Sequence, residues 1–492
     1  MSVTNLTIAL AIAYLLVIKI VAYLANRNTV ETVEEYFIAS RKTGVLALVA
    51  TLVATNVNTL AFTAYPALVY EGGILLSGVL VTLPFSLFFW LYFGPKIWRY
   101  SQENNSITQA EVFGNYYESP LLYFLTVIIG IVSVFPFLIV QFAGVAKVFS
   151  TATNNVVSYE MSVLLLALFT GIYVFFGGAK AVIWTDVVQS LFFIILIGIT
   201  AWLFTVWAGG FRQGIETLTE VIPEKLVFNP ENTAYFLELI CSWTFAFFLW
   251  PQVFQRFMMG RYQKTIARAI WGKLAVDIFM KFNLITMGIM ATAVLYGQIN
   301  DSDKLVAEMY AQNFPLGGAF IVLAILACGM STIDSILLSV ASIFTRDIVE
   351  KLLPNPLPEA SRYHLAQTIS VVTLVVVSAF ALSDVGRGYL APMVTFGATF
   401  ATFLLWPLVG MFAWKGSTKA GVISAIFMGF VAFCLTESVS NYFALYLPVS
   451  RTVVAFLVSL ISFVSVSWLT RNPVQLQEKQ PKSSLEKGTL KG

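Results

Sequence analysis

The chain has 492 residues, 58% of them hydrophobic and 11% charged, with a mean hydropathy of +0.81. A soluble domain carries roughly 25% charged residues, so this composition excludes a soluble globular protein and indicates a polytopic membrane protein. The net charge of +3 is spread over short loops and gives no footing for nucleic acid.

Runs of about twenty apolar residues predict thirteen membrane-spanning helices. They fall near 4–25, 44–70, 74–98, 120–148, 158–177, 182–208, 234–258, 274–297, 317–345, 366–383, 389–414, 418–442 and 451–470. The first run has no Lys or Arg before it and no small-residue cleavage pattern after it, so it reads as a retained helix rather than a signal peptide. An odd number of spans puts the termini on opposite sides, and positive charge decides which. Of the 29 Lys and Arg, three lie inside spans (Lys19, Lys147, Lys281). With the N-terminus outside, five lie in external loops (Arg212, Lys225, Lys304, Arg387, Arg451). The other 21, Arg256 among them, fall in cytoplasmic segments.

Two spans are unlike the rest. The second holds Ala54-Thr55-Asn56-Val57-Asn58-Thr59 in mid-run, followed by Pro66. Asn and Thr side chains compete for backbone hydrogen bonds, so local unwinding is expected there. The plainer reading of Asn56 and Asn58 is hydrogen bonding between helices. The seventh span carries Trp243 and ends near Trp250-Pro251-Gln252. Interrupted spans at corresponding places of two halves point to a transporter site. Spans 2–6 and 7–11 form five-helix halves of opposite topology. The expected division is 1–43 (first helix and cytoplasmic linker), 44–208 (first half), 209–233 (external loop), 234–414 (second half) and 415–470 (two last helices). Residues 471–492, rich in Lys, Glu, Ser and Gln, read as a disordered cytoplasmic tail too short for a fused kinase or sensor.

The ninth span contains Gly329-Met330-Ser331-Thr332-Ile333-Asp334-Ser335. Ser331, Asp334 and Ser335 sit at i, i+3 and i+4 and share one helix face. Hydrocarbon penalises such groups unless they have partners, and hard oxygen ligands suit a hard cation. Hydrogen bonding between helices accounts for Ser331, Thr332 and Ser335 but poorly for Asp334. The three cysteines (Cys241, Cys328, Cys434) lie in apolar runs and give neither a disulfide framework nor a metal-ligand spacing. The single histidine, His364, falls in a loop-like stretch and reads as a surface residue. No histidine lies in a span, which argues against a membrane acyltransferase. Asp186 and Asp334 lack the Gly-x-Gly-Asp context of an intramembrane aspartyl protease. The chain reads as a carrier, not an enzyme.

The motifs resemble those of the sodium:solute symporter family over residues 4–471. Gly177-Gly178-Ala179-Lys180-Ala181-Val182-Ile183-Trp184-Thr185-Asp186-Val187-Val188-Gln189 is close to the family signature around its fifth loop and sixth helix. Met330-Ser331-Thr332, Asp334-Ser335 and Ser342-Ile343-Phe344-Thr345-Arg346-Asp347 resemble its ninth helix. Thr108-Gln109-Ala110-Glu111, Pro251-Gln252 with Arg256-Phe257-Met258, and Trp414-Lys415 with Ala420-Gly421 match other family segments in order. The resemblance implies an all-α, thirteen-helix LeuT-type fold with a broken second helix and an inverted repeat. It also implies alternating access in a cell membrane, driven by inward sodium flow. The partners it implies are sodium, a small-molecule substrate and the lipid bilayer, with no obligate protein partner.

By the same resemblance, the core sodium site falls on the Ala54, Val57 and Cys328 carbonyls with the Ser331 and Thr332 hydroxyls. A second sodium site falls on Asp186, Ser331, Asp334 and Ser335. Two carboxylates facing one cavity repel unless a cation or one proton relieves them, and Asp186 acting as a gate element is the competing reading. The chain departs from the family at Asn58-Thr59-Leu60-Ala61, where Gly or Ser is frequent, and at Asn56, where the proline branch has an acid. The substrate, by analogy, lies between helices 2, 4, 7 and 11. Its expected lining is Thr59, Thr63, Gln141, Trp243, Phe247, Thr395 and Thr399. No arginine is expected at mid-depth in any span, which disfavours a strongly anionic substrate and favours a neutral or zwitterionic one. Lys281 and Asp277 are expected to pair within their helix.

Overall fold

The computed structural model describes residues 2–27, 31–73, 80, 82–227, 237–238, 242–299, 301–355, 357–388, 391–443 and 450–471. Regular structure among them is helical, apart from an isolated bridge between Thr43 and Gly260. The expected tail (472–492), the start of the third span (74–79) and parts of the seventh (234–236, 239–241) lie outside the described residues. So does the side chain of Trp243.

Helix α1 (Val3–Asn26) is capped by Ser2, and α2 (Val33–Ile38) follows in the linker. The second span is α3 (Val45–Asn56) and α4 (Ala64–Gly72), separated by residues 57–63 and bent by 74°. Next come α5 (Thr82–Asn104), the short α6 (Gln109–Tyr116) and α7 (Pro120–Ala152). A Thr108–Glu111 capping box starts α6, and Pro120 opens α7.

The fifth and sixth spans, expected as separate helices, follow one another in Tyr159–Trp207 (α8) and meet at a kink with non-helical backbone at Gly178. Its 49 residues are too many for one crossing of a ~30 Å hydrocarbon core, which takes about 20. The helix breaks at Gly178, where φ is 51°. A Cβ there would stand 2.8 Å from the Tyr36 carbonyl oxygen and 2.7 Å from its ring. Helix α2 therefore wedges into the break, and glycine supplies both the left-handed backbone and the room.

The segment after 208 contains α9 (Phe211–Val221). A π-type turn at Ser242–Ala246 leads to α10 (Pro251–Met259), then α11 (Gln263–Leu295). Helices α12 (Leu305–Asn313), α13 (Gly318–Ser342), α14 (Glu359–Leu382) and α15 (Ala391–Thr402) complete the first compact unit. His364 lies inside α14 rather than in a loop, its Nδ1 3.1 Å from Gln367 Oε1. Asp277 pairs with Lys273, one turn toward the N-terminus of α11, and is also within electrostatic range of Lys281, the partner expected from the sequence. A second unit holds α16 (Leu405–Phe412), α17 (Lys419–Phe443) and α18 (Arg451–Leu469). There Trp406 packs on Phe456 and Phe463.

Nine helices among the described residues are long and apolar enough to cross a membrane, or ten with the bent pair counted as one span. The protein is a multi-pass membrane protein. Every residue from Ile321 to Ser342 of α13 is buried, because α1, α3, α7, α8 and α14 surround it. The polar face read in the sequence is thus interior on all sides and must find protein partners.

Candidate functional site

The break in the second span makes the site. Where α3 stops, its last carbonyls lose their intrahelical donors. Val57 is extended (φ −89°, ψ 115°), and Asn58 caps the short turn Thr59–Ala61 by accepting from Leu60 N at 2.9 Å. The freed carbonyls face α13. Ser331 Oγ donates to Ala54 O at 3.1 Å and to Cys328 O at 3.0 Å. Thr332 Oγ1 lies 3.2 Å from Val57 O and 3.0 Å from Cys328 O. The five residues expected at the core ion site are therefore gathered around one point. Ala54, Cys328, Ser331 and Thr332 are fully buried.

One helical turn along α13 lies a second polar cluster. Asp334 Oδ2 accepts from Tyr173 at 2.8 Å, and Oδ1 accepts from Ser335 at 3.3 Å. Asp186 Oδ2 accepts from Thr51 at 2.6 Å, while its Oδ1 is buried with no hydrogen-bond partner. Thr55 and Ser335 hydroxyls are 3.1 Å apart. Between these groups stands Arg256, which the charge pattern assigns to a cytoplasmic segment. It is fully buried among the helices, although the charge pattern gives it no reason to be. Its Nη2 donates to Ser335 and sits 4.0 Å from Asp186 Oδ2. Nη1 donates to Gln252 O at 3.1 Å, and Nε donates to Thr51 at 3.3 Å. The physical reason is that α10 is not a loop end. All nine residues of α10, Pro251 through Met259, are buried. A guanidinium beside two acids, with its donors used, is tolerated in such a place. Spacing holds the signal that the charge pattern misses: Gln252, Gln255 and Arg256 at i, i+3 and i+4 form a polar face between Phe254 and Phe257.

The expected substrate residues divide into two groups. Gln141 Oε1 accepts from Thr59 N at 3.1 Å and from Thr59 Oγ1 at 3.0 Å, and Thr63 Oγ1 reaches Thr59 O at 3.5 Å. A cavity of about 950 Å³ opens over Thr59 and Thr63, walled by α4, α7, α12 and α13. Its lining includes Gly144, Lys147, Lys304 and Ile325. Gln141, Phe247, Thr395 and Thr399 are not in that lining. Phe247 packs on Trp250 at 4.6 Å between ring centroids, and Trp250 stacks on Phe137 at 4.5 Å. Thr399 donates to Thr395 O at 2.9 Å within α15. That helix comes so close to α7 that a Cβ on Gly397 would lie 2.3 Å from Ser133 O.

A profile of the Sodium:solute symporter family matches residues 36–429. The sodium/pantothenate symporter of Escherichia coli is 27% identical over 475 residues, 92% of this chain and 94% of that protein. The sodium/proline symporter of Staphylococcus aureus is 26% identical over 498 residues, 94% of this chain and 92% of that protein. A Na+-coupled sialic acid symporter in a substrate-bound, outward-open state superposes with a TM-score of 0.77 at 18% identity, over 94% of this chain and 97% of that one. MhsT in complex with L-phenylalanine gives 0.55 at 13%, over 87% and 99%.

Proposed function

Because the chain belongs to the sodium:solute symporter family, we propose that it imports a small neutral or zwitterionic organic solute by alternating access, driven by sodium. The coupling ion is sodium, and the fold is of the LeuT type shared with the two solved transporters. The observation that carries the reading is the pair of α13 hydroxyls on the Ala54 and Val57 carbonyls freed by the helix break. Five uncharged oxygens at one buried point suit a weakly held monovalent cation that must also leave. Opening or closing the break would make or unmake that point, which couples the ion to the moving outer half-helix α4.

The described helices accommodate thirteen crossings if α8 contributes one on each side of Gly178 and the π-turn with α10 contributes the seventh. Under this reading spans 2–6 and 7–11 are the inverted halves, with α1 outside them. We keep the domain division given above as part of this reading, with the N-terminus external and the tail cytoplasmic. The solute is held near Thr59, Thr63 and Gln141, with Trp243, Phe247, Thr395 and Thr399 as further lining by the family resemblance, and it arrives through the cavity over Thr59. Proline, carried by one relative, is a zwitterion, and pantothenate, carried by another, is a small organic anion. We assign a second sodium ion to Asp186, Asp334, Ser335 and Ser331. The buried, unpartnered Asp186 Oδ1 supports it.

The test is uptake into proteoliposomes of a panel containing proline, pantothenate and a neutral sugar, each with and without an inward sodium gradient. One solute should accumulate only with sodium. Full accumulation driven by protons alone in sodium-free buffer would overturn the coupling. Reversal potentials then give stoichiometry: two sodium ions per solute, falling to one in Asp334→Ala. One ion in both proteins removes the second site and leaves the acids as gate elements.

A further inference from the structure

Helix α1 presents one narrow buried stripe, Thr7, Ala11, Tyr14, Ile18 and Ala22, while Ile12, Leu16, Ile20 and Leu24 are exposed. Most of that stripe is small or apolar and packs on α8 and α13. Tyr14 differs. It is 8% exposed, and its hydroxyl accepts a hydrogen bond from Gln189 Nε2 at 2.7 Å. Gln189 is fully buried, and its Oε1 has no hydrogen-bond partner. Gln189 follows Asp186 by three residues, so both side chains leave α8 on one face. Asp186 likewise has a buried oxygen without a partner. Tyr14 is also within electrostatic range of Asp186 and Asp334.

A carboxamide has a donor end and an acceptor end. With Nε2 engaged by Tyr14, the end left without a partner is the acceptor. A buried acceptor without a donor is unfavourable unless a cation, or water bound to one, meets it. If the hydroxyl is removed, the amide can turn over and present N–H toward the position a cation would take. That would cost ion affinity without disturbing the carboxylates themselves.

We propose that Tyr14, on the helix outside the two inverted halves, is a positioning residue for ion coupling, fixing Gln189 so that its carbonyl oxygen faces the Asp186–Asp334 cluster. This rests on the second-ion reading above. It gives α1 a part in transport beyond covering the bundle.

The experiment measures sodium activation of solute uptake in proteoliposomes for Tyr14→Phe, Gln189→Met and the double variant. Half-saturating sodium does not depend on how much folded carrier is present, so it separates positioning from packing. Tyr14→Phe should raise it about two- to tenfold, the worth of one buried hydrogen bond. Solute affinity at saturating sodium should stay unchanged. The double variant should be no worse than Gln189→Met alone, because one interaction is lost only once. An unchanged sodium requirement in Tyr14→Phe overturns the proposal, as do additive effects in the double variant. If Tyr14→Phe inserts poorly, Gln189→Met tests the same bond from the other side, and an unchanged sodium requirement there is equally adverse. Asp334→Ala stoichiometry separates the two ideas. Two ions falling to one with Tyr14→Phe silent removes only the role of Tyr14, whereas one ion throughout removes the second site itself.

Discussion

Replacing Arg256 by Gln should destabilise the protein mainly when sodium is absent, and the structure sets the size. The guanidinium lies 4.0 Å from Asp186 Oδ2 with both side chains fully buried. At an effective dielectric of about 20, that separation corresponds to an attraction of ~4 kcal/mol. Removing one partner of a buried pair costs about 3–5 kcal/mol, because the other charge is left uncompensated. Arg256 also holds Gln252 O, Thr51 and Ser335, so Gln cannot replace its reach. Thermal unfolding of the purified protein should show a lower midpoint for Arg256→Gln in sodium-free buffer. Saturating sodium should narrow the gap, since an ion bound beside the acids stabilises only the folded state. Adding Asp186→Asn to Arg256→Gln should recover much of the loss, because the stranded charge is gone. If Arg256→Gln melts like wild type without sodium, or the double variant melts below the single one, the carboxylate and guanidinium are not coupled as described.

Other outcomes follow from single contacts. Ser331→Ala or Thr332→Ala removes one neutral oxygen from the core site, worth on the order of 1–3 kcal/mol. Half-saturating sodium should rise by roughly five- to 150-fold with little change in solute preference, and an unchanged sodium curve would place the ion elsewhere. Gly178→Ala puts a Cβ at 2.7–2.8 Å from Tyr36 on a backbone with φ 51°, so the melting midpoint should fall by the equivalent of about 1–3 kcal/mol. A midpoint equal to wild type would mean α2 gives way at no cost. Single cysteines in 209–227 should react with an impermeant thiol reagent in intact cells while those in 260–273 should not, and the reverse pattern would invert the topology.

The parts of the site legible in the sequence are those where polarity contradicts its surroundings. Asn56, Asn58 and Thr59 stand in a run too apolar to hold them without cause, and the helix does stop at Asn56. Ser331 and Thr332 follow the same logic from the partner side, and each hydroxyl reaches a carbonyl that the break exposes. Other features are hidden because a one-dimensional reading assigns charge to whatever lies nearest. Arg256 is close in sequence to Arg261, Lys264 and Arg268, so the charge pattern groups it with the loop. In space it belongs to a short buried helix between two acids. Lys273 and Lys281 are both one turn from Asp277, and periodicity alone does not show that Lys273 makes the direct ion pair. Gly178 looks like any glycine of an apolar segment until the Tyr36 backbone is seen against it.

The buried position of Arg256 changes the electrostatic argument for the ion. Two acids alone would require a cation or a shared proton. With Arg256 present, the two acids and one guanidinium carry one net negative charge when all three are ionised. On the two-ion proposal one sodium ion would neutralise that cluster, while the proposed core site beside it offers only uncharged oxygens. On that proposal an ion at the core would gain attraction from the charged cluster, and an ion at the cluster would remove it. The ion held by uncharged oxygens leaves more readily once the cluster is neutralised, whereas Asp186→Asn, which makes the cluster neutral without an ion, should weaken core binding from the start. Sodium titration of Asp186→Asn reads this directly: a raised half-saturating concentration for the remaining ion agrees with it, and an unchanged value would show that the two polar clusters act independently.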